Sequence, residues 1–352
     1  MKGQAPHGTA DAAEFARRIA AWQRSDGRHD LPWQRGRDPY AIGISEIMLQ
    51  QTQVATVIPY YERFMKRFPD VNTLARASLD DVLTRWSGLG YYSRARNLHR
   101  AAQAIHAHGG RFPDTFDAVA ALPGIGRSTA GAIMVFAYGA PYPILDGNVK
   151  RVLARVHGIS GYAGEKAVAD ALWHAAEALV PAKRVEAYTQ GLMDLGATVC
   201  LRRPHCARCP VRSSCVALRE ALIDKIPAPR PRKALPHRST VMLILEHCGA
   251  LLLEKRAVPG IWGGLWCFPE LDAGADAAMW CEQRFGANVG ALQTLPPIEH
   301  GFTHFSLTIS PQRARVTTLM PRAAEPGQLW LRLDEAKTAA IPAPVRRILD
   351  SL

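Results

Sequence analysis

Four cysteines within sixteen residues, Cys200, Cys206, Cys209 and Cys215, constrain this chain more than any other feature. The pattern C-x5-C-x2-C-x5-C lets four soft thiolates converge on one centre, which is a metal-site signature. Arg202, Arg203, Pro204, His205 and Arg208 lie between them and are too polar for a core segment, so buried cysteines acting as small hydrophobes explain the cluster poorly. Zinc and an iron-sulfur cluster both accept four thiolates. Structural zinc usually draws on two short knuckles, whereas this segment has one knuckle between two longer loops. One 4Fe-4S cluster is therefore favoured, with structural zinc as the alternative.

The chain around the cluster changes character once. Apolar residues recur at spacings of three and four over 11–25, 40–56, 79–87, 93–108, 128–138, 148–157, 166–179 and 184–197, with short Gly or Pro connectors, and this predicts helix after helix. Pro227, Pro229, Pro231 and Pro236 then force an extended path. Beyond them STVMLILEH, GALLLEKR and FSLTISPQRARVTTL are short, β-branched and bounded by turns. Three segments follow: an all-α domain over 1–226 that carries the cysteines, a Pro-rich linker over 227–238, and an α+β domain over 239–352. With 352 residues, two domains of ordinary size each bury a core.

Charge narrows the partner. The chain carries 43 Lys and Arg against 31 Asp and Glu, a net +12. From Pro227 onward there are 14 basic and 11 acidic residues, so +9 of the excess falls on residues 1–226. A polyanion, nucleic acid first, is expected to meet the helical part. At 48% hydrophobic and 21% charged, the composition excludes a mainly disordered or fibrous chain. The start, MKGQAPHGTADAAEF, lacks the apolar core of a secretory signal. The uncharged run from Ser128 to Leu145 is broken by Gly139, Pro141 and Pro143 and reads as a buried helix and a loop rather than a membrane span. A cytoplasmic, nucleoid-associated protein without membrane contact is expected, with cysteines reduced or metal-bound.

Two short segments carry chemistry. In Leu122-Pro123-Gly124-Ile125-Gly126-Arg127-Ser128-Thr129, two glycines permit positive φ just before a helix whose N-terminal amides favour an anion. This is a helix-hairpin-helix pattern, suited to gripping DNA backbone without reading sequence. Twenty residues on, Asp146 and Asn148 open the helix VKRVLARV, where capping alone would account for them.

A helical domain with a glycine hairpin, an acid twenty residues later and a four-cysteine cluster resembles the endonuclease-III-like superfamily of DNA glycosylases, over residues 10–220. The ten residues Ser45-Glu46-Ile47-Met48-Leu49-Gln50-Gln51-Thr52-Gln53-Val54, preceded by Leu31-Pro32-Trp33, resemble the adenine DNA glycosylases of MutY type. The Cys200–Cys206 spacing is one residue shorter than that family's pattern, which bears on the arginine loop between them. The resemblance implies a base-excision-repair enzyme acting, as a monomer, on double-stranded DNA with adenine opposite 8-oxoguanine or guanine. Glycosidic cleavage needs a protonated leaving base and a stabilised sugar cation. Glu46 is thereby expected to protonate adenine at N7 from an apolar pocket that raises its pKa. Asp146 is expected to stay ionised against the oxocarbenium-like sugar, with Asn148 in support. Gln51, Leu89 and Tyr91 are expected to enter the gap left by the extruded base, and Gly124, Gly126 and Ser128 to meet DNA. Trp33 and Gln190 are expected to line the substrate pocket. Bifunctional relatives carry a lysine where this chain has Ser128, so a monofunctional enzyme follows.

The region from 236 onward resembles a MutT-like (Nudix) domain through Gly260-Ile261-Trp262-Gly263-Gly264-Leu265-Trp266-Cys267-Phe268-Pro269-Glu270. Its LDAGADAAMWCEQRFGANV stretch holds only Glu282 where a magnesium-dependent hydrolase needs a glutamate cluster, so no pyrophosphatase activity is expected. Recognition of 8-oxoguanine is expected instead from Phe302, Thr303 and His304. Two alternatives remain, a bifunctional glycosylase/lyase and a non-catalytic DNA-binding module with a structural metal.

Overall fold

The computed structural model describes residues 9–231, 234–272, 274–320 and 325–352. Residues 232–233 of the proline segment and the first eight residues, on which part of the argument against a leader rested, lie outside them. Contacts divide the chain into two units, 1–75 with 100–232 and 76–99 with 233–352.

The helices run α1 (Thr9–Asp26), α2 (Pro39–Leu49), α3 (Val54–Arg67), α4 (Val71–Arg76), α5 (Leu79–Trp86), α6 (Ser93–Ala107), α7 (Phe116–Ala120), α8 (Arg127–Tyr138), α9 (Gly147–His157), α10 (Lys166–Ala178), α11 (Val185–Thr198) and α12 (Val216–Arg219). The helix expected over 40–56 ends at Leu49, and only the first three residues of a separate helix, α3, fall inside that range. Gln51 adopts a left-handed conformation (φ 58°), which no continuous α-helix accommodates, and α3 starts afresh at Val54. Residues 57–67 of α3 and the whole of α4 lie outside the expected helices, and α4 is shorter than the roughly eleven residues over which a periodicity shows.

The first unit packs α1, α9, α10 and α11 around one core, with Phe15, Ile19, Val152, Leu153, Leu172, Leu192 and Leu195 at its centre. Two glycines set how closely its segments approach. A Cβ on Gly131 of α8 would lie 2.5 Å from the Pro143 carbonyl, so only glycine lets the 141–145 loop lie on that helix. A Cβ on Gly196 of α11 would meet the Asn148 Cβ at 2.5 Å. Both contacts press the start of α9, and hence Asp146, into place.

The second unit is a mixed sheet with helices. Its strands are β1 (His237–His247), β2 (Ala250–Lys255), β3 (Trp266–Cys267), β4 (Glu270–Leu271), β5 (Ala287–Val289), β6 (Gln293–Thr294), β7 (Ile298–Gly301), β8 (Ser306–Leu319) and β9 (Gln328–Arg332). β1 runs parallel to β8 from His237↔Ser306 to Glu246↔Arg315. β2 is antiparallel to β1, β3 and β9, while β5, β6 and β7 are antiparallel to β8. The helix α13 (Ala277–Phe285) buries Ala277, Cys281 and Phe285 against Leu243, Leu245 and Leu252; α14 (Leu333–Thr338) and α15 (Ala343–Ser351) close the chain. Within the same unit the 76–99 segment is fastened by Ser87 Oγ donating to the Ile341 carbonyl at 2.9 Å and Arg96 donating to the Gly263 carbonyl at 2.7 Å.

Candidate active site and cysteine centre

A large open cleft in the first unit collects residues from distant parts of the chain. Its walls include Arg28, Trp33, Glu46, Gln51, Ser128, Asp146, Asn148 and Gln190. Glu46 comes from α2, which Asp38 starts by accepting from the Tyr40 amide at 3.0 Å, and whose Ile44, Ile47 and Met48 are buried. The packing of that helix turns the Glu46 carboxyl into the cleft. Burial, and next the charge of Asp146, push its pKa up to about 8. At neutral pH it therefore holds its proton.

Asp146 caps α9, accepting from the Val149 amide at 2.7 Å. Its pKa is also raised, by burial first, against the lowering effect of the Val149 and Asn148 amides and of Arg151. The two acids differ in their support, since backbone amides favour the ionised form of Asp146 while among the described residues no donor reaches the Glu46 carboxyl. Ser128 accepts from the Leu145 amide at 2.9 Å, so its hydroxyl anchors the loop leading into Asp146 as well as lining the cleft. Asn148 Oδ1 accepts from Arg151 at 2.8 Å. Arg151 also donates to the carbonyls of Cys200 and Gly196, both at 2.7 Å.

The hairpin uses only one of its glycines for positive φ. Gly124 does so at φ 79°, but Gly126 is extended (φ −90°) as the N-cap of α8, contrary to the expectation for both. A Cβ there would meet nothing within 4 Å, so its backbone is open to a ligand. Gln50 donates to Thr129 Oγ1 at 3.2 Å and ties the end of α2 to the start of α8. Gln51 is exposed. In the second unit Tyr91 is exposed, with the Arg94 guanidinium 5.4 Å from its ring, whereas Leu89 is 6% exposed. Of that expected wedge pair, the structure presents Tyr91 and buries Leu89, as an apolar side chain favours.

Thr303 and His304 are exposed at the turn between β7 and β8, closed by the Phe302 amide donating to the Phe305 carbonyl at 2.9 Å. Phe302 stacks on Phe305 at 4.3 Å and meets Trp262 at 5.5 Å. Trp262 was not singled out as a site residue from sequence; its distance of forty residues from Phe302 left no local signal. On α13, Arg284 is paired with Glu254 at 2.7 Å, and Glu282 is the helix's one glutamate.

The four cysteines line one cavity whose walls also include Val152, Val156, Leu195, Val199 and Val211 and the two arginines Arg155 and Arg212. Arg155, 3% exposed, donates to the carbonyls of Leu201, Arg202, Ile223 and Ile226 and lies 3.5 Å from Cys200 Sγ. Among the described residues no three His, Cys, Asp or Glu side chains converge closely enough to hold a single ion.

Sequence reasoning missed Arg28 and Asp194. Asp194 on α11 is fully buried and accepts from Arg28 Nη2 at 2.6 Å, Nε at 2.7 Å and the Arg28 amide at 2.9 Å, and from Gln190 Nε2 at 2.9 Å. An acid on the apolar face of a helix is the one signal the sequence offered. No helix among the described residues is long and apolar enough to cross a membrane.

The fold and this cleft are those of a base-excision DNA glycosylase: a model of the HhH-GPD superfamily base excision DNA repair protein matches residues 44–178, and one of the NUDIX domain matches 240–351. A solved thermostable thymine-DNA glycosylase superposes with a TM-score of 0.53 at 30% identity, covering 60% of this chain and 98% of its own. The adenine DNA glycosylase of Buchnera aphidicola from Acyrthosiphon pisum is 38% identical over 96% of this chain and 97% of its own length. That of Homo sapiens is 34% identical over 96% of this chain and 74% of its own. The chain belongs to the adenine DNA glycosylases.

Proposed function

We propose that this enzyme removes adenine lying opposite 8-oxoguanine or guanine in duplex DNA, with Glu46 as the acid and Asp146 as the carboxylate facing the sugar cation. The observation that carries this is the convergence of Glu46, from α2, and Asp146, from the cap of α9, on one cleft. Glu46 enters neutral and delivers its proton to N7 of the extruded base, so the base leaves uncharged. Asp146, held by backbone amides, stabilises the sugar as the bond breaks, and Glu46, now ionised, accepts a proton from the attacking water. Trp33 and Gln190 line the base's side of the cleft, and Asn148 is positioned by Arg151.

The enzyme is monofunctional on this account. Among the described residues lining the cleft none is a lysine, so no primary amine stands ready to form a Schiff base with the sugar. Gly124, Gly126 and the exposed Gln51 and Tyr91 supply the DNA contacts. The turn around Phe302, Thr303 and His304, backed by Trp262, supplies recognition of 8-oxoguanine. The second unit hydrolyses no pyrophosphate, since α13 offers Arg284, already paired with Glu254, and a single glutamate.

Cys200, Cys206, Cys209 and Cys215 line one cavity, and their spacing, one short knuckle between two longer loops, favours a 4Fe-4S cluster over zinc. Bound there, the cluster would cross-link the 200–215 segment to itself, beside the α9 and α11 side chains that line the same cavity. A brown protein absorbing near 400 nm is expected, and a colourless one with stoichiometric zinc overturns the assignment. The catalytic proposal is tested with a duplex holding adenine opposite 8-oxoguanine, quenched with and without alkali. Strand breaks that appear only after alkali are expected; breaks without it contradict a monofunctional enzyme.

A further inference from the structure

Gln190 reaches the cleft as an amide, and an amide has a donor end and an acceptor end. Which end faces a bound base decides which base is welcome. The structure settles this through Asp194. A carboxylate only accepts, so the end of Gln190 that lies 2.9 Å from Asp194 Oδ1 must be its NH2 group. The Gln190 Oε1 has no donor on it among the described residues and is the end left for the cleft, whose wall Gln190 helps form. Turning the amide over would set two oxygens against each other. It would do so at a carboxylate already taken up by two Arg28 guanidinium contacts and the Arg28 amide.

We propose that Asp194 is a positioning residue for base specificity: it locks the Gln190 carbonyl toward the cleft, to accept from an exocyclic amine and to oppose an exocyclic carbonyl. The proposal rests on the reading that this cleft receives the extruded base. Adenine carries an amine at position 6. Hypoxanthine keeps adenine's shape and its N7 but carries a carbonyl there, so it leaves two acceptors face to face with no rotation available to relieve them. Arg28 shares the arrangement, since the same carboxylate holds its guanidinium at the wall of the cleft.

The test uses the full chain under single-turnover conditions, with duplexes holding adenine or hypoxanthine opposite 8-oxoguanine. In Asp194→Asn the residue facing Gln190 both donates and accepts, the amide is free to turn, and the adenine-to-hypoxanthine rate ratio should fall by about tenfold or more relative to the unaltered enzyme. The double variant Asp194→Asn with Gln190→Glu keeps one negative charge beside Arg28. The carboxylate it places at position 190 accepts from the new amide at position 194 on one side and presents an acceptor to the cleft on the other, so the ratio should return to within about threefold of the original. Parallel losses on both bases, with the ratio unchanged in Asp194→Asn, mean that Asp194 only supports the fold and overturn the proposal. Should the single variant not fold, the double variant decides: a preserved ratio supports the proposal and a lost ratio overturns it. Glu46→Gln is run alongside. If it still releases adenine, the cleft reading itself fails; if it is inactive while Asp194→Asn keeps the ratio, only the role of Asp194 falls.

Discussion

Arg151 donates from Nε to the Cys200 carbonyl at 2.7 Å, so the helix that Asp146 caps and the first cysteine of the cluster segment are held by one side chain. The same guanidinium fixes Asn148 at 2.8 Å and the Gly196 carbonyl at 2.7 Å. Removing it should disturb both ends. Arg151→Ala is expected to slow single-turnover adenine release about tenfold to a hundredfold, because a charge-assisted hydrogen bond is worth about 1.5–3 kcal/mol. Absorbance near 400 nm, followed with activity, shows whether the cysteine centre loosens in step; unchanged activity and absorbance would remove Arg151 from the account.

Gly196 offers a sharper steric test. In Gly196→Ala the new methyl lands 2.5 Å from Asn148 Cβ, and overpacking of this kind costs about 1–3 kcal/mol. Gly191→Ala is a matched control, crowding Ile19 at 2.8 Å in the core rather than the start of α9. Thermal unfolding should show comparable losses for the two, while adenine release should fall much further in Gly196→Ala. Equal activity losses would mean that the start of α9 is not specially sensitive.

The raised pKa of Glu46 has a signed consequence. In the unfolded chain the carboxyl titrates near 4.5, in the native cleft near 8, so the native state holds the proton more tightly between those values. The neutral carboxyl's contribution to stability is full below about pH 4.5 and is lost as pH rises through 8. Glu46→Gln should accordingly be stabilised more at pH 8 than at pH 5, read from the midpoint of thermal unfolding at each pH. Adenine release by the unaltered enzyme should decline above pH 8 as the acid ionises. A variant whose stability gain is the same at both pH values would show that the carboxyl is solvated.

The proposed recognition of 8-oxoguanine by the exposed Thr303 turn is open to a direct test. Thr303→Ala removes the hydroxyl and leaves the Phe302 to Phe305 closure in place. The preference for adenine opposite 8-oxoguanine over adenine opposite guanine should drop about threefold to tenfold, the worth of one hydrogen bond. The measurement is the ratio of single-turnover rates on the two duplexes.

Much of this was legible in the chain because local chemistry and local spacing agree. The cysteine spacing, the glycine hairpin and the Glu46 segment each sit within a few consecutive residues, and the change to β-branched runs after Pro236 marks the second domain. What escaped was either conformational or long-range. Gln51 breaks the run 40–56 by a backbone angle that its side chain does not announce. Asp194 and Arg28 meet across 166 residues, and the closeness of Gly196 to Asn148 exists only once α9 and α11 are packed. Leu89 reads as an exposed wedge between two glycines, yet its apolar side chain finds cover.

The most direct test of the central claim is single-turnover adenine release by Glu46→Gln on a duplex with adenine opposite 8-oxoguanine, scored after alkali, with binding to the same duplex measured alongside. Without a proton to give N7, the variant should bind the duplex as the unaltered enzyme does and release adenine at least about a thousandfold more slowly. Release at the original rate would contradict the assignment of Glu46 as the acid.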